Sequence, residues 1–204
     1  MIENILIADD HEIVVNGLKS ILTEQFGVKN IFVAESGIET IEILSSIDEI
    51  DLIILDISMP FSNIFKIIPD IKKINPKIKI LIFTMLSARI YENRLFKLGV
   101  NGFVEKTEPI QSLKNKIQSI LLGKGFVYEE ANLKIQDNYN PLNLLSDKEL
   151  QITQYLTNGD TNTTIAKKLG LMQSTIGTYK SRIFEKLEIS SIVELVEIVN
   201  RYQS

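Results

Sequence analysis

The chain has 204 residues, of which 45% are apolar and 24% charged, and its net charge is −4. That length holds one large domain or two small ones, each able to bury a real core. The absence of cysteine excludes disulfides and thiolate metal sites, and the acidic balance argues against bulk nucleic-acid binding.

Strand-like apolar runs are expected near residues 4–9, 30–34, 51–56, 78–84 and 102–105. Helix-length amphipathic stretches separate them. In the first, Ile13, Leu18, Ile21 and Leu22 are read as sharing a face. In the second, Ile38, Ile41, Leu44 and Ile47 recur at three-residue intervals. Further helices are expected near 63–74, 87–98 and 109–122. Strict alternation of strand and helix implies α/β architecture, a doubly wound five-stranded parallel sheet with helices on both faces.

Residues 123–143 read as a linker, with turn chemistry in Gly123-Lys124-Gly125 and Asp137-Asn138-Tyr139-Asn140-Pro141. Phe126-Val127-Tyr128 between them is expected to pack on a neighbouring element. From Leu144 onward only helices are expected. Ser146 followed by Glu149 is a capping-box pattern opening a helix through Leu150, Ile152 and Leu156. A short helix through Ile165, Ala166 and Leu169 ends at Gly170. A longer one spans about 174–187 with Ile176, Ile183, Phe184 and Leu187 inward, and a last one holds Ile192, Leu195, Val196 and Val199. Four short helices with tight turns make a small all-α domain containing a helix-turn-helix. The organisation is therefore 1–122, linker 123–143, and 144–204.

Five polar residues stand where the apolar strands run out: Asp9, Asp10, Asp56, Thr84 and Lys106. Ligands of open parallel sheets bind outside the carboxyl ends of the strands. Mg²⁺ takes oxygen ligands and is held by one or two carboxylates plus phosphate oxygens. A carboxylate can also attack phosphorus and form an aspartyl-phosphate. Any one aspartate here also fits a helix N-cap. That simpler role does not account for Thr84 and Lys106 at two further strand ends. His11, the single histidine, reads as a polar residue at a helix start, since Mg²⁺ does not favour imidazole.

The stretches Ala8-Asp9-Asp10-His11, Asp56-Ile57-Ser58-Met59-Pro60, Phe83-Thr84-Met85 and Gly99 through Lys106 carry a resemblance to the CheY-like receiver domain of two-component response regulators. It covers essentially all of residues 1–122. The resemblance implies that Asp56 is the phosphoacceptor, with a sensor histidine kinase as donor. It implies that Asp9, Asp10, Asp56 and the Ser58 backbone carbonyl hold Mg²⁺, and that Thr84 and Lys106 contact the phosphoryl group. It places Phe103 as the aromatic switch coupled to Thr84. One departure is that Asn63 is followed by Ile64 where the family has glycine, so the loop before the third helix should differ.

Residues 144–204 resemble the LuxR-type helix-turn-helix of the NarL/FixJ response regulators. The match runs through Leu145-Ser146-Asp147-Lys148-Glu149, Gly159, Thr161-Asn162, Ile165-Ala166, Leu169, Ser174-Thr175-Ile176 and Ile183 through Leu187. It implies DNA binding with the third helix in the major groove. The polar face departs from the family: Gly177 replaces a basic residue, Met172 a serine cap, and Thr163-Thr164 a Lys-Glu pair. DNA contacts are expected from Lys167, Lys168, Ser174, Thr175, Thr178, Tyr179, Lys180, Arg182 and Lys186. Residues 144–204 carry seven basic and seven acidic side chains, so binding by a monomer should be weak and a homodimer is expected on DNA.

The function expected is a phosphorylation-controlled transcription regulator and not an enzyme. An alternative is a phospho-dependent protein-interaction switch. An aspartate-based phosphatase would need a second carboxylate two residues past its nucleophile, where this chain has Ser58. No apolar run approaches the roughly 20 residues that span a bilayer. Met1-Ile2-Glu3-Asn4 lacks the basic start of a signal peptide, so a cytoplasmic location is expected.

Overall fold

The computed structural model describes residues 3–47, 49–59, 63–123 and 140–203. The chain divides into two compact units, Met1–Val127 and Tyr128–Ser204. The apolar triplet at 126–128 and most of the expected linker lie outside the described residues.

The first unit alternates five strands with five helices: β1 Asn4–Ala8, α1 Glu12–Phe26, β2 Asn30–Ala34, α2 Gly37–Ser46, β3 Leu52–Leu55, α3 Ile64–Ile74, β4 Lys79–Thr84, α4 Ala88–Lys97, β5 Gly102–Glu105 and α5 Ile110–Leu121. The strands form one sheet in the order β2-β1-β3-β4-β5, and every pairing is parallel. This is the doubly wound five-stranded sheet that the alternation predicts. Side chains alternate across it. Ile5, Ile7, Leu52, Ile54, Leu81 and Val104 form one core with Val15, Leu18 and Leu22 of α1 and Leu113, Ile117 and Ile120 of α5. The intervening Leu6, Ile53, Leu55, Ile80 and Ile82 are equally buried and so point to the opposite face. α2, α3 and α4 bring their own buried residues, among them Leu44, Ile67, Ile68, Ile71, Ile90 and Leu95. α3 forms despite Pro69 in its interior. Burial of Ile64, Ile67, Ile68 and Ile71 offsets the lost backbone hydrogen bond.

Two expected helix faces are corrected. Ile13 is 88% exposed, and the buried stripe of α1 is Val15, Leu18 and Leu22. Ile38 is 58% exposed, and α2 buries Gly37, Thr40 and Leu44 instead. A three-residue interval falls about 60° short of a full turn at each step. Ile38, Ile41 and Leu44 therefore drift around the helix, and Ile47 is already its C-cap.

In the second unit a 3-10 turn, Pro141–Leu144, precedes α6 Asp147–Thr157, α7 Asn162–Leu169, α8 Gln173–Leu187 and α9 Ile192–Gln203. The turn is an element that the linker reading did not contain, and its Leu142 is buried. The capping box at Ser146 forms with both of its hydrogen bonds. Gly170 ends α7 at φ 63°, a left-handed conformation that glycine adopts without strain. Leu150, Ile152, Leu156, Ile165, Ile176, Ile183, Leu187, Leu195 and Val199 are buried. Phe184, expected inward, is only partly buried.

Candidate functional sites

The parallel register carries five side chains to one end of the sheet. Asp56 donates its N–H to the Ala8 carbonyl at 2.8 Å, and Lys106 donates its N–H to the Thr84 carbonyl at 2.7 Å, so these residues continue the ladder just past the strands. Asp9, Asp56 and Thr84 are buried, whereas Asp10 is exposed. A carboxylate cluster inside a protein costs solvation unless each oxygen finds a partner.

Asp56 finds them on both oxygens. Its Oδ1 accepts hydrogen bonds from the Thr84 hydroxyl at 2.8 Å and the Ser58 backbone N–H at 2.9 Å. Its Oδ2 accepts from the Lys106 ammonium at 2.7 Å. The single Thr84 proton is committed to Asp56, so the Ser58 hydroxyl, 3.3 Å away, donates to Thr84. Lys106 Nζ also lies 2.7 Å from Asp9 Oδ2, an ion pair without hydrogen-bond alignment. Burial draws the Lys106 pKa down, but its contacts with Asp56 and then Asp9 outweigh burial and hold it above the usual lysine value. The ammonium therefore stays charged between the two carboxylates.

Asp9 Oδ2 is a buried carboxylate oxygen that accepts no hydrogen bond among the described residues. Ligand atoms of Asp9, Asp10, His11 and Asp56 lie within 4.8 Å of one another. A buried anionic oxygen held only through the Lys106 ion pair, beside two further carboxylates, fits a hard divalent cation such as Mg²⁺. His11 sits at the N-cap of α1 but makes no side-chain cap bond. Phe103, in β5 opposite Ile82, is 4% exposed and so turned into the fold.

Sequence reasoning missed Glu105. Its Oε1 accepts the Ala88 N–H at 2.7 Å and so caps α4, whose own N-cap Ser87 makes no side-chain cap bond. Glu105 and Ala88 are 17 positions apart, and no local pattern links them.

In the second unit, α8 buries Ile176, Ile183 and Leu187 and turns Gln173, Ser174, Thr178, Ser181 and Arg182 to solvent. Thr175, Gly177, Tyr179 and Lys180 are partly buried. The Thr178 and Ser181 hydroxyls donate to the Ser174 and Gly177 carbonyls of the helix itself, each at 3.1 Å. Met172 caps α8 without a side-chain hydrogen bond.

The lysines divide into two groups. Lys168 pairs with Asp160 at 2.7 Å and lies over the Tyr155 ring. Lys186 donates to Glu149 at 2.6 Å and to the Leu144 carbonyl at 3.3 Å. Lys167 is exposed, and Lys180 lies over the Phe184 ring at 5.4 Å. The pairing of Lys186 with Glu149 was not foreseen, because the two stand 37 positions apart.

A family model for the response regulator receiver domain matches residues 5–118, and one for bacterial regulatory proteins of the luxR family matches residues 143–199. The Fimbriae Z protein of Salmonella typhimurium is 31% identical over 205 residues, covering 98% of this chain and 97% of that protein. The response regulator GacA of Pseudomonas viridiflava is 28% identical over 97% of this chain and 95% of its own length. Among solved structures, RcsB from Salmonella enterica serovar Typhimurium, bound to promoter P1flhDC in the presence of the phosphomimetic BeF3-, is similar with a TM-score of 0.78. That likeness has 25% identity and covers 98% of this chain and 100% of that one. An RcsB–DNA complex is similar at a TM-score of 0.76 and 25% identity, over 99% of each chain.

Proposed function

The chain belongs to the two-component response regulators that join a receiver domain to a LuxR-type helix-turn-helix, and from that premise we propose how its residues divide the work of a phosphorylation-controlled transcription regulator. Asp56 is the phosphoacceptor. The observation that carries this assignment is the convergence of Thr84, Ser58 and Lys106 on the two Asp56 oxygens at 2.7–2.9 Å. Neither Asp9 nor Asp10 is engaged by Thr84.

An Asp56 oxygen attacks the phosphorus of a histidine kinase's phosphohistidine, and the phosphorus–nitrogen bond breaks. Asp9, Asp10, Asp56 and the Ser58 carbonyl would hold Mg²⁺, which would offset repulsion between the anionic nucleophile and the anionic donor. Lys106 then neutralises one phosphoryl oxygen, and the Thr84 hydroxyl donates to another. To do so Thr84 leaves the Asp56 Oδ1 that it holds at 2.8 Å. That movement, coupled to Phe103 two residues before Glu105, the β5 partner of Thr84, is the switch.

The output is DNA binding as a homodimer, with α8 in the groove and Lys167 of α7 beside it. The contacts are Lys167, Ser174, Thr175, Thr178, Tyr179, Lys180 and Arg182. Lys168 and Lys186 spend their charge within the domain and contribute less. No described helix is long and apolar enough to cross a membrane. A kinase donor and a DNA target place the protein in the cytoplasm.

Incubation with acetyl phosphate and Mg²⁺, followed by phosphate-affinity electrophoresis, tests the acceptor. The wild-type chain should shift, and Asp56→Asn should not. A shift that survives in Asp56→Asn contradicts the assignment.

A further inference from the structure

Glu105 ties the strand that carries Lys106 to the start of α4. Its backbone stands opposite Thr84 in the β4–β5 register, and Lys106 follows it directly. Its side chain accepts the Ala88 N–H on Oε1 at 2.7 Å. α4 brings no such group of its own: Ser87 makes no side-chain cap bond, and the first turn contains no acidic residue. A carboxylate at a helix start satisfies an unpaired N–H and meets the positive end of the helix dipole. Glu105 supplies both from another element. The segment from Thr84 to Ala88 is therefore fastened at two points. The Leu86 N–H donates to the Thr84 hydroxyl at 3.4 Å, and that hydroxyl donates to Asp56 Oδ1 at 2.8 Å. Two residues further on, Ala88 is fastened to Glu105. Leu86 and Ser87 are buried, so a movement at one fastening is carried through packed residues to the other.

We propose that Glu105 is a latch: its bond to Ala88 holds the start of α4 in the resting position, and phosphorylation of Asp56 breaks that bond. The proposal rests on the parts given above to Asp56 and Thr84. When the Thr84 hydroxyl leaves Asp56 for the phosphoryl group, the Leu86 N–H follows it. Ala88 is then drawn off a carboxylate that stays behind. Glu105 stays because its own N–H donates to Glu108 Oε1 at 2.9 Å, and the Lys106 N–H after it donates to the Thr84 carbonyl at 2.7 Å. An acceptor engaged in only one of two states biases their equilibrium by the strength of its bond. For a hydrogen bond to a charged group that bias is about tenfold or more in population. Glu105 is thus a positioning residue: it touches no phosphoryl group and acts through the segment that Thr84 moves.

Two readouts on the full chain test the latch, each with and without BeF3- and Mg²⁺. One is amide hydrogen exchange at Ala88 by NMR, which reports the bond itself. The other is affinity for a DNA duplex enriched from a random pool. Glu105→Ala removes the acceptor, whereas Glu105→Gln keeps a carbonyl oxygen at the same reach. Without the phosphomimetic, Ala88 should exchange slowly in wild type and about tenfold or more faster in Glu105→Ala. BeF3- should speed Ala88 exchange in wild type to a similar degree. Glu105→Ala should bind DNA about tenfold more tightly than wild type before any phosphomimetic is added, and Glu105→Gln should stay closer to wild type in both readouts. A merely structural role would lower the melting midpoint without tightening DNA binding. Wild-type Ala88 exchange that BeF3- leaves unchanged overturns the latch, and this arm needs no variant to fold. Glu105→Ala that binds DNA no more tightly, when BeF3- does tighten wild type, overturns it too. Ala88 released by BeF3- with wild-type DNA affinity unchanged overturns the DNA output instead, and the latch stands.

Discussion

Asp56 and Glu149 are both buried carboxylates held by a lysine, one in each unit, and they serve different ends. Asp56, on the proposed assignment, is held so that it can react. Glu149 is held so that two helices stay together, because Lys186 lies on α8 and Glu149 opens α6. Burial pushes the Glu149 pKa up, but the Lys186 hydrogen bond and the capping-box bonds of Ser146 outweigh it, and the pKa falls below the usual glutamate value. A depressed folded-state pKa gives stability that is present above the unfolded value, about 4.3, and lost as pH falls through the folded one. Glu149→Gln should destabilise the C-terminal unit at neutral pH by about 1.5–3 kcal/mol, the scale of a hydrogen bond to a charged group. It should also flatten the acid dependence below the unfolded glutamate value of about 4.3. Circular dichroism melts of the two chains across that range check both effects. At this scale the sequence showed what ends a strand, because Asp9, Asp56, Thr84 and Lys106 each close an apolar run. It did not show side-chain partners far apart in the chain, such as Glu105 with Ala88 or Lys186 with Glu149.

Element boundaries followed local chemistry closely, since Ser146, Gly170 and the apolar strand runs are each read within a few residues. Buried faces followed less well. Ile13 and Ile38 are large and apolar, yet both stand in solvent, because the face a helix buries is set by the sheet beneath it. α8 shows a different tension. Gly177 lies inside it, and a Cβ built there meets nothing within 4 Å. Gly177→Ala should therefore raise the stability of the C-terminal unit by up to about 1 kcal/mol. A thermal melt checks this, and a lower midpoint would show that the glycine is required by the helix. The same substitution adds no charge, so DNA affinity should stay within a factor of a few.

For the molecule as a whole, the input was more legible than the output. The receiver's chemistry needs particular residue types at strand ends, and those are visible in sequence. The DNA-facing chemistry depends on which cations remain unpaired, and only the folded unit shows that Lys168 and Lys186 are engaged internally. Of the expected contacts, the cations Lys167, Lys180 and Arg182 show no ion pair among the described residues and are the ones proposed to meet phosphates. At about 0.9 per neutralised phosphate, log affinity against log salt should fall with a slope of about −3 per domain and about −5 for a dimer. Fluorescence anisotropy of a labelled duplex over a salt series measures it. A slope near −10 would mean that the paired lysines let go of their carboxylates and join the interface.

Control of DNA binding through Asp56 is the central claim, and one titration addresses it directly. DNA sites enriched from a random pool with the full chain are titrated with and without BeF3- and Mg²⁺, in wild type and in Asp56→Asn. The phosphomimetic should tighten wild-type binding about tenfold or more, within the usual range for coupling between two sites. It should leave Asp56→Asn unchanged. Equal tightening in both chains, or none in wild type, would contradict the account.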